Sequence, residues 1–226
     1  MKLEIIAHRG NLSGPHPEME NTLATTRAAL EQGFGMETDL RRDASGRFYI
    51  AHDPQPWTPA NDLAAYAELF REFTTETIAM NVKELGYEAE LIALFRSGAL
   101  GAGAFYFDFE LLETRTPGRA QRLIRSLPGG EEVRIASRLS DRGESLEQAL
   151  AIPAEIVWAD EFDSFWLKEE HFQAIHAAGR QVHVISPEIH GFSESERLQR
   201  WSDFKRWGVD GICTDYALSA REYFSK

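Results

Sequence analysis

The sequence predicts an α/β fold, a (β/α)8 barrel in which eight strand–helix units follow one another. Apolar, β-branched runs alternate with stretches of helical period along all 226 residues. Setting one hairpin strand aside, eight such runs stand at 3–7, 34–39, 77–83, 104–109, 132–136, 155–159, 181–185 and 210–213. No glycine-rich phosphate loop follows the first run, which disfavours a doubly wound sheet.

The elements follow in order. A loop rich in Pro, Gly, His and Asn spans 11–17, and Asn21-Thr22 opens a helix to about Gln32 that Gly33 stops. After the strand at 34–39, the turn at 43–46 sends the chain back along 47–51 as a hairpin beside the barrel. Prolines 54, 56 and 59 hold the next loop, and helices are expected at 61–72 and 88–97 on either side of the strand at 77–83. Pro117 suits a first helical position and starts a helix over 117–125. Helices at 146–150, 168–178, 194–206 and 217–224 complete the remaining units, with Gly179 and Gly208 as stops. With no composition break, low-complexity tract or short repeat, a single domain over 1–226 is expected.

The formal charge of −12 argues against nucleic acid and against electrostatic attachment to anionic membranes. It leaves room for an anionic small substrate, because a divalent cation can reverse the local field. One cysteine, Cys213, rules out an intrachain disulfide and a multi-cysteine zinc site. No leader pattern precedes the strand at 3–7 and no apolar run reaches membrane-spanning length, so a cytoplasmic protein without stable membrane insertion is expected. The oligomeric state is left open.

In a barrel of this kind the site forms at the C-terminal ends of the strands. His8 and Arg9 end the first strand. Glu37 and Asp39 end the second, two residues apart and therefore on one side of it. Paired carboxylates in that position suit a hard cation, Mg²⁺ or Ca²⁺, rather than zinc. Histidine as a residue type titrates near neutrality, so of His8 and His52 one can take a proton from a nucleophile while the other returns one to a leaving oxygen.

His8-Arg9-Gly10, Glu20-Asn21-Thr22, Glu37-Thr38-Asp39, His52-Asp53 and the ending Gly208-Val209-Asp210-Gly211-Ile212-Cys213-Thr214-Asp215 stand here in one order. As a set they resemble the glycerophosphodiester phosphodiesterases, whose TIM barrel is shared with phosphatidylinositol-specific phospholipase C. The resemblance covers the first 53 residues densely and the last 20 well. It implies a PLC-like phosphodiesterase barrel of the small bacterial branch, with His8 and His52 as the acid–base pair. It further implies Glu37 and Asp39 as metal ligands and Arg9 and Lys83 as phosphate contacts. The chain departs from the family's pattern at its third ligand, where Asn81 stands two residues before Lys83. Asn81 can ligate through its carbonyl oxygen but brings no charge, and Asp108 on the next strand is the alternative third ligand.

Arg138, Trp158, Asp160, Glu188 and His190 follow later predicted strands and are expected at the same mouth, Arg138 on a phosphate oxygen and the others reading an alcohol or sugar. The function expected is metal-dependent cleavage of a glycerophosphodiester or related small phosphodiester. The alternative is a weakly active or non-catalytic binding protein for a phosphorylated metabolite, which Asn81 motivates. A metal-dependent amidohydrolase would want a His-x-His pair after the first strand, and His8-Arg9-Gly10 does not supply it.

Overall fold

The computed structural model describes residues 3–74 and 76–226. Its strands are β1 (Glu4–His8), β2 (Gly35–Arg42), β3 (Phe48–Ile50), β4 (Thr77–Val82), β5 (Gly103–Phe107), β6 (Ala136–Ser140), β7 (Ile156–Asp160), β8 (Gln181–Ile185) and β9 (Gly211–Thr214). They form one sheet in the order β5-β4-β2-β1-β9-β8-β7-β6, with β3 paired antiparallel to β2 off that path. The outer strands β5 and β6 meet through a Tyr106–Ile135 bridge, and the Tyr106 N–H donates to the Arg134 carbonyl at 3.1 Å. The result is a nearly closed parallel (β/α)8 TIM barrel, with β3 as the side hairpin.

The helices α1 (Leu23–Glu31), α2 (Leu63–Glu72), α3 (Glu88–Arg96), α4 (Phe109–Leu112), α5 (Arg119–Ser126), α6 (Leu146–Ala151), α7 (Glu169–Ala177), α8 (Glu194–Trp207) and α9 (Ala217–Phe224) pack around it. Their starts follow side-chain chemistry. Thr22, Asp62, Ser145 and Ser193 each accept a hydrogen bond from a first-turn N–H, and Ser193 with Glu196 forms a reciprocal capping box. Among the described residues, no helix is long and apolar enough to cross a membrane.

Three apolar clusters hold the layers together. The barrel interior is filled by Ile6, Phe105, Phe107, Ile156, Trp158 and Cys213, so the barrel is a packed core. Between barrel and helices, Met36, Phe70 and Tyr106 belong to one buried cluster and Phe172, Trp201 and Phe204 to another.

Most predicted elements fall within two residues of the observed ones, but the strand expected at 132–136 lies at Ala136–Ser140. The cause is a 3-10 turn over Gly130–Glu132, which uses up the start of the apolar run. This turn lies so close to α5 that a Cβ on Gly130 would sit 1.7 Å from the Ile124 carbonyl oxygen. The shift matters for the site because Arg138, expected beyond the strand, lies in the middle of it. Replacing Gly130 by alanine should force this turn away from α5 and lower stability by about 2–4 kcal/mol. Urea unfolding of Gly130→Ala against the parent measures it; an unchanged midpoint would contradict the packing described.

Candidate active site

Strand register sets the site. His8 lies level with Glu37, and Asp39 level with Asn81, on the neighbouring parallel strands β1, β2 and β4. All these side chains gather at the C-terminal mouth. Except for Asp39, which lies just beneath it, they line a cavity of about 540 Å³ together with Arg9, His52, Lys83, Asp160, His190 and Asp215.

Asp39 is the most enclosed, with 0% of its surface exposed. Lys83 Nζ stands 2.8 Å from its Oδ1, Arg9 Nε 3.2 Å from its Oδ2, and Asn21 donates to Oδ2 at 2.7 Å. Burial pushes the Asp39 carboxyl up, but Lys83 and Arg9 outweigh it and hold the group below the usual carboxylate range. Glu37 has fewer partners: the Arg9 N–H donates to Oε2 at 3.2 Å, and His8 Nε2 is 3.9 Å away. Burial and the charge of Asp39 push the Glu37 carboxyl up to about 7.

His8 Nδ1 is 2.7 Å from Asp215 Oδ1, and Asn11 donates to that same oxygen at 2.8 Å. Burial lowers the His8 pKa, but the Asp215 hydrogen bond and the charges of Glu37 and Asp215 outweigh it and raise it overall. Asp215 thus fixes one ring nitrogen and leaves Nε2 for the cavity. His52 is different in kind. Its side chain is 46% exposed and its Nδ1 lies 3.1 Å from the outward-facing Asp53. Burial, Arg9 and Lys83 together lower its pKa.

The backbone is strained where these side chains meet. Among the described residues, Arg9, Asn21 and Asp108 are the non-glycine positions with positive φ, at 50°, 55° and 68°, and all three serve this mouth. Gly10 follows Arg9 with φ 85°, and a Cβ there would lie 2.7 Å from the Thr25 side chain. The His8-Arg9-Gly10 turn therefore needs its glycine to dock on α1.

Several later residues reach the mouth in other ways than the sequence suggests. Arg138 is 2% exposed, with Nη1 on Asp108 and Nη2 2.5 Å from Asp160. Its mid-strand position places it on two buried carboxylates, and it lines the cavity with Nε unpartnered. Asp108 accepts from Arg138 on one oxygen and from Asn81 Nδ2 at 2.9 Å on the other, and it lines the same cavity. Glu188 accepts from the Ser186 and Thr214 hydroxyls and from the Asp215 N–H at 3.1 Å, tying the end of β8 to β9 at the cavity edge. Trp158 packs on Phe107 at 4.3 Å between ring centres and forms the cavity floor. Asp160 and His190 form a pair, His190 Nε2 to Asp160 Oδ1 at 2.6 Å.

Asp215, Asn11, Glu20 and Asn21 are site residues that the sequence reading did not assign. Glu20 accepts from Arg9 Nη1 at 2.9 Å and from Asn11 at 3.1 Å, which fixes the arginine's direction. The signal was there for Asp215, which follows the last strand, and for Glu20-Asn21. Their partners, however, depend on a positive-φ turn that spacing does not reveal.

A divalent cation could use Glu37, Asp39 and the Asn81 carbonyl oxygen. Among the described residues, no three His, Cys, Asp or Glu side chains form a metal-holding group. The donor chemistry fits a hard cation as two carboxylates and an amide, with Asp39 shared with Lys83. It is a weakly charged set.

No protein-family model matches the chain, and no curated protein matches it in sequence. Solved structures do match. A provisionally named glycerophosphodiester phosphodiesterase from Galdieria sulphuraria superposes with a TM-score of 0.76 at 20% identity, covering 100% of this chain and 99% of that one. The fold is the one that protein carries. A glycerophosphoryl diester phosphodiesterase from Parabacteroides distasonis gives 0.70 at 15% identity, covering 99% and 86%. A barrel from another enzyme class, phosphoribosyl anthranilate isomerase from Thermus thermophilus, gives 0.53 at 11% identity over 99% and 97%. The likeness is therefore greater to the phosphodiesterase barrels than to this other barrel, and at these identities it is a likeness of fold.

The raised Glu37 pKa has a consequence for stability. A folded state that binds a proton more tightly than the unfolded chain loses stability as pH rises from the ordinary value of 4.5 to about 7. Urea unfolding in chelator should show the parent falling relative to Glu37→Gln by up to about 3 kcal/mol across that window. A constant difference between the two proteins would contradict the burial of an ionising Glu37.

Proposed function

We propose that the chain is a phosphodiesterase acting on a glycerophosphodiester or related small phosphodiester. The observation that carries this is the joint placement of His8, His52, Arg9 and Lys83 around one cavity, beside the Glu37–Asp39 pair. The fold likeness supports it. A substrate phosphate would meet the free faces of Arg9 and Lys83, whose charges Asp39 orients. His8, with Nδ1 held by Asp215, accepts the proton of the attacking oxygen at Nε2. That oxygen belongs either to water or to a substrate hydroxyl vicinal to the phosphate. His52, at the rim beside the same cations, is the second histidine of the pair in this reading.

Glu37, Asp39 and Asn81 would hold Mg²⁺ or Ca²⁺, which when bound supplies charge neutralisation at the phosphate. With Asn81 in place of a carboxylate, binding should be weak. Asn81→Asp places a second carboxylate beside Asp108. Its thermal midpoint should fall in chelator and recover with millimolar Ca²⁺, while the parent shifts little. No recovery would remove Asn81 from the ligand set.

A second reading, a binding protein for a phosphorylated metabolite, is favoured by Asn81 alone. The two are separated by turnover of bis(p-nitrophenyl) phosphate and glycerophosphodiesters with Mg²⁺, Ca²⁺ or Mn²⁺. Phosphodiester cleavage that His8→Ala lowers by about 10²–10⁴-fold supports the enzyme. Retained binding of sn-glycerol 3-phosphate without turnover of any diester supports the binder.

A further inference from the structure

Asp39 is served by three partners, and they are not held alike. Asn21 donates to Oδ2 at 2.7 Å and itself accepts the Thr38 hydroxyl at 2.8 Å. Arg9 Nε stands 3.2 Å from the same Oδ2, while Arg9 Nη1 donates to Glu20 at 2.9 Å from a backbone at φ 50°. Lys83 has no second carboxylate: among the described residues its Nζ ion-pairs with Asp39 alone, 2.8 Å from Oδ1. Its N–H donates to the Leu40 carbonyl at 3.1 Å, so the backbone just past β4 is fixed while the four-carbon stem keeps its rotations. Lys83 is therefore the detachable partner.

The oxygen that Lys83 covers is the one left for a cation. Asp39 Oδ1 is buried and accepts no hydrogen bond of regular geometry, so the ammonium serves it by charge. Oδ2 is taken by Arg9 and Asn21. Asn81, level with Asp39 on β4, turns its Nδ2 to Asp108 at 2.9 Å, which points its carbonyl oxygen the other way. A cation ligating through Oδ1 needs the place where Lys83 Nζ stands, and two positive charges in contact with one carboxylate oxygen repel each other strongly away from water.

Resting on the phosphodiesterase reading and its divalent cation, we propose that Lys83 is a tethered counter-ion, exchanged for the cation at Asp39 Oδ1 and thereby released to the substrate phosphate. Without the cation, Lys83 keeps the buried carboxylate from standing unpaired. With it, the Lys83 stem swings the ammonium off Asp39 into the cavity that it already lines. Cation and phosphate then bind with positive coupling. A displaced ammonium is offered whole to the phosphate, and a phosphate that holds the ammonium leaves Oδ1 open to the cation.

Calorimetry of Ca²⁺ binding to the full chain tests this without turnover. Lys83→Met keeps the stem and removes the ammonium, so Ca²⁺ should bind at least about tenfold tighter than to the parent. The gain should persist in about 0.5 M NaCl, because exchange at a buried oxygen is screened little whereas a through-space repulsion is screened. In the parent, saturating Ca²⁺ should tighten sn-glycerol 3-phosphate by about 5–150-fold, a coupling that shrinks in Lys83→Met. A measurement on the parent alone guards against a variant that folds poorly. Acetic anhydride labelling of Lys83, read by peptide mass spectrometry against the exposed Lys168, should rise severalfold when Ca²⁺ is added. Unchanged or weaker Ca²⁺ binding in Lys83→Met, a gain abolished by salt, equal coupling in both proteins, or Lys83 labelling indifferent to Ca²⁺ would each overturn the exchange. Failure of the phosphodiesterase reading is seen apart from these, as a parent that binds Ca²⁺ with the predicted exchange and cleaves no diester.

Discussion

Asp39 with its two cations is the constraint on which the site depends. A carboxylate removed from water at the end of β2 is tolerated because Lys83 from the end of β4, Arg9 from the end of β1 and Asn21 ahead of α1 all reach it. Deleting one partner of such a buried pair typically costs about 3–5 kcal/mol, because the charge left behind has no solvent. Arg9 meets Asp39 from a strained φ of 50°, and its N–H donates to Glu37. In the phosphodiesterase reading, phosphate affinity and fold stability would rest on the same few atoms.

A second network mirrors it across the mouth. Arg138 joins Asp108 to Asp160, Asp160 holds His190, and Asn81 reaches Asp108 from β4. Burial pushes the Asp108 carboxyl up despite the arginine beside it, while Asp108 and Asp160 outweigh burial to raise Arg138. A buried chain of charge-assisted hydrogen bonds of this kind rigidifies its members, although Arg138 Nε is left without a partner. Asn81, Asp108, Arg138, Asp160 and His190 all line the cavity.

Much of the fold could be read from the alternation of apolar runs and helical stretches, because each parallel strand is buried on both faces and each helix on one. The run at 132–136 misled because Gly129 and Gly130 turn the chain before the strand begins, and a close backbone approach leaves no mark in periodicity. That single shift places Arg138 within the strand, where the sequence puts it beyond the end. The residues that line the cavity were legible where they lie next to a strand end, as at His8, Glu37 and Lys83. They were not legible where they depend on long-range pairing, as in His8 with Asp215, 207 residues apart, or His190 with Asp160.

The most direct test of the account is a crystal structure of the protein with sn-glycerol 3-phosphate bound. The account predicts the phosphate between Arg9 and Lys83, within hydrogen-bond reach of His8 Nε2, in the cavity that His190 also lines. A phosphate seated away from these residues, with Arg9 and Lys83 still closed on Asp39, would contradict it.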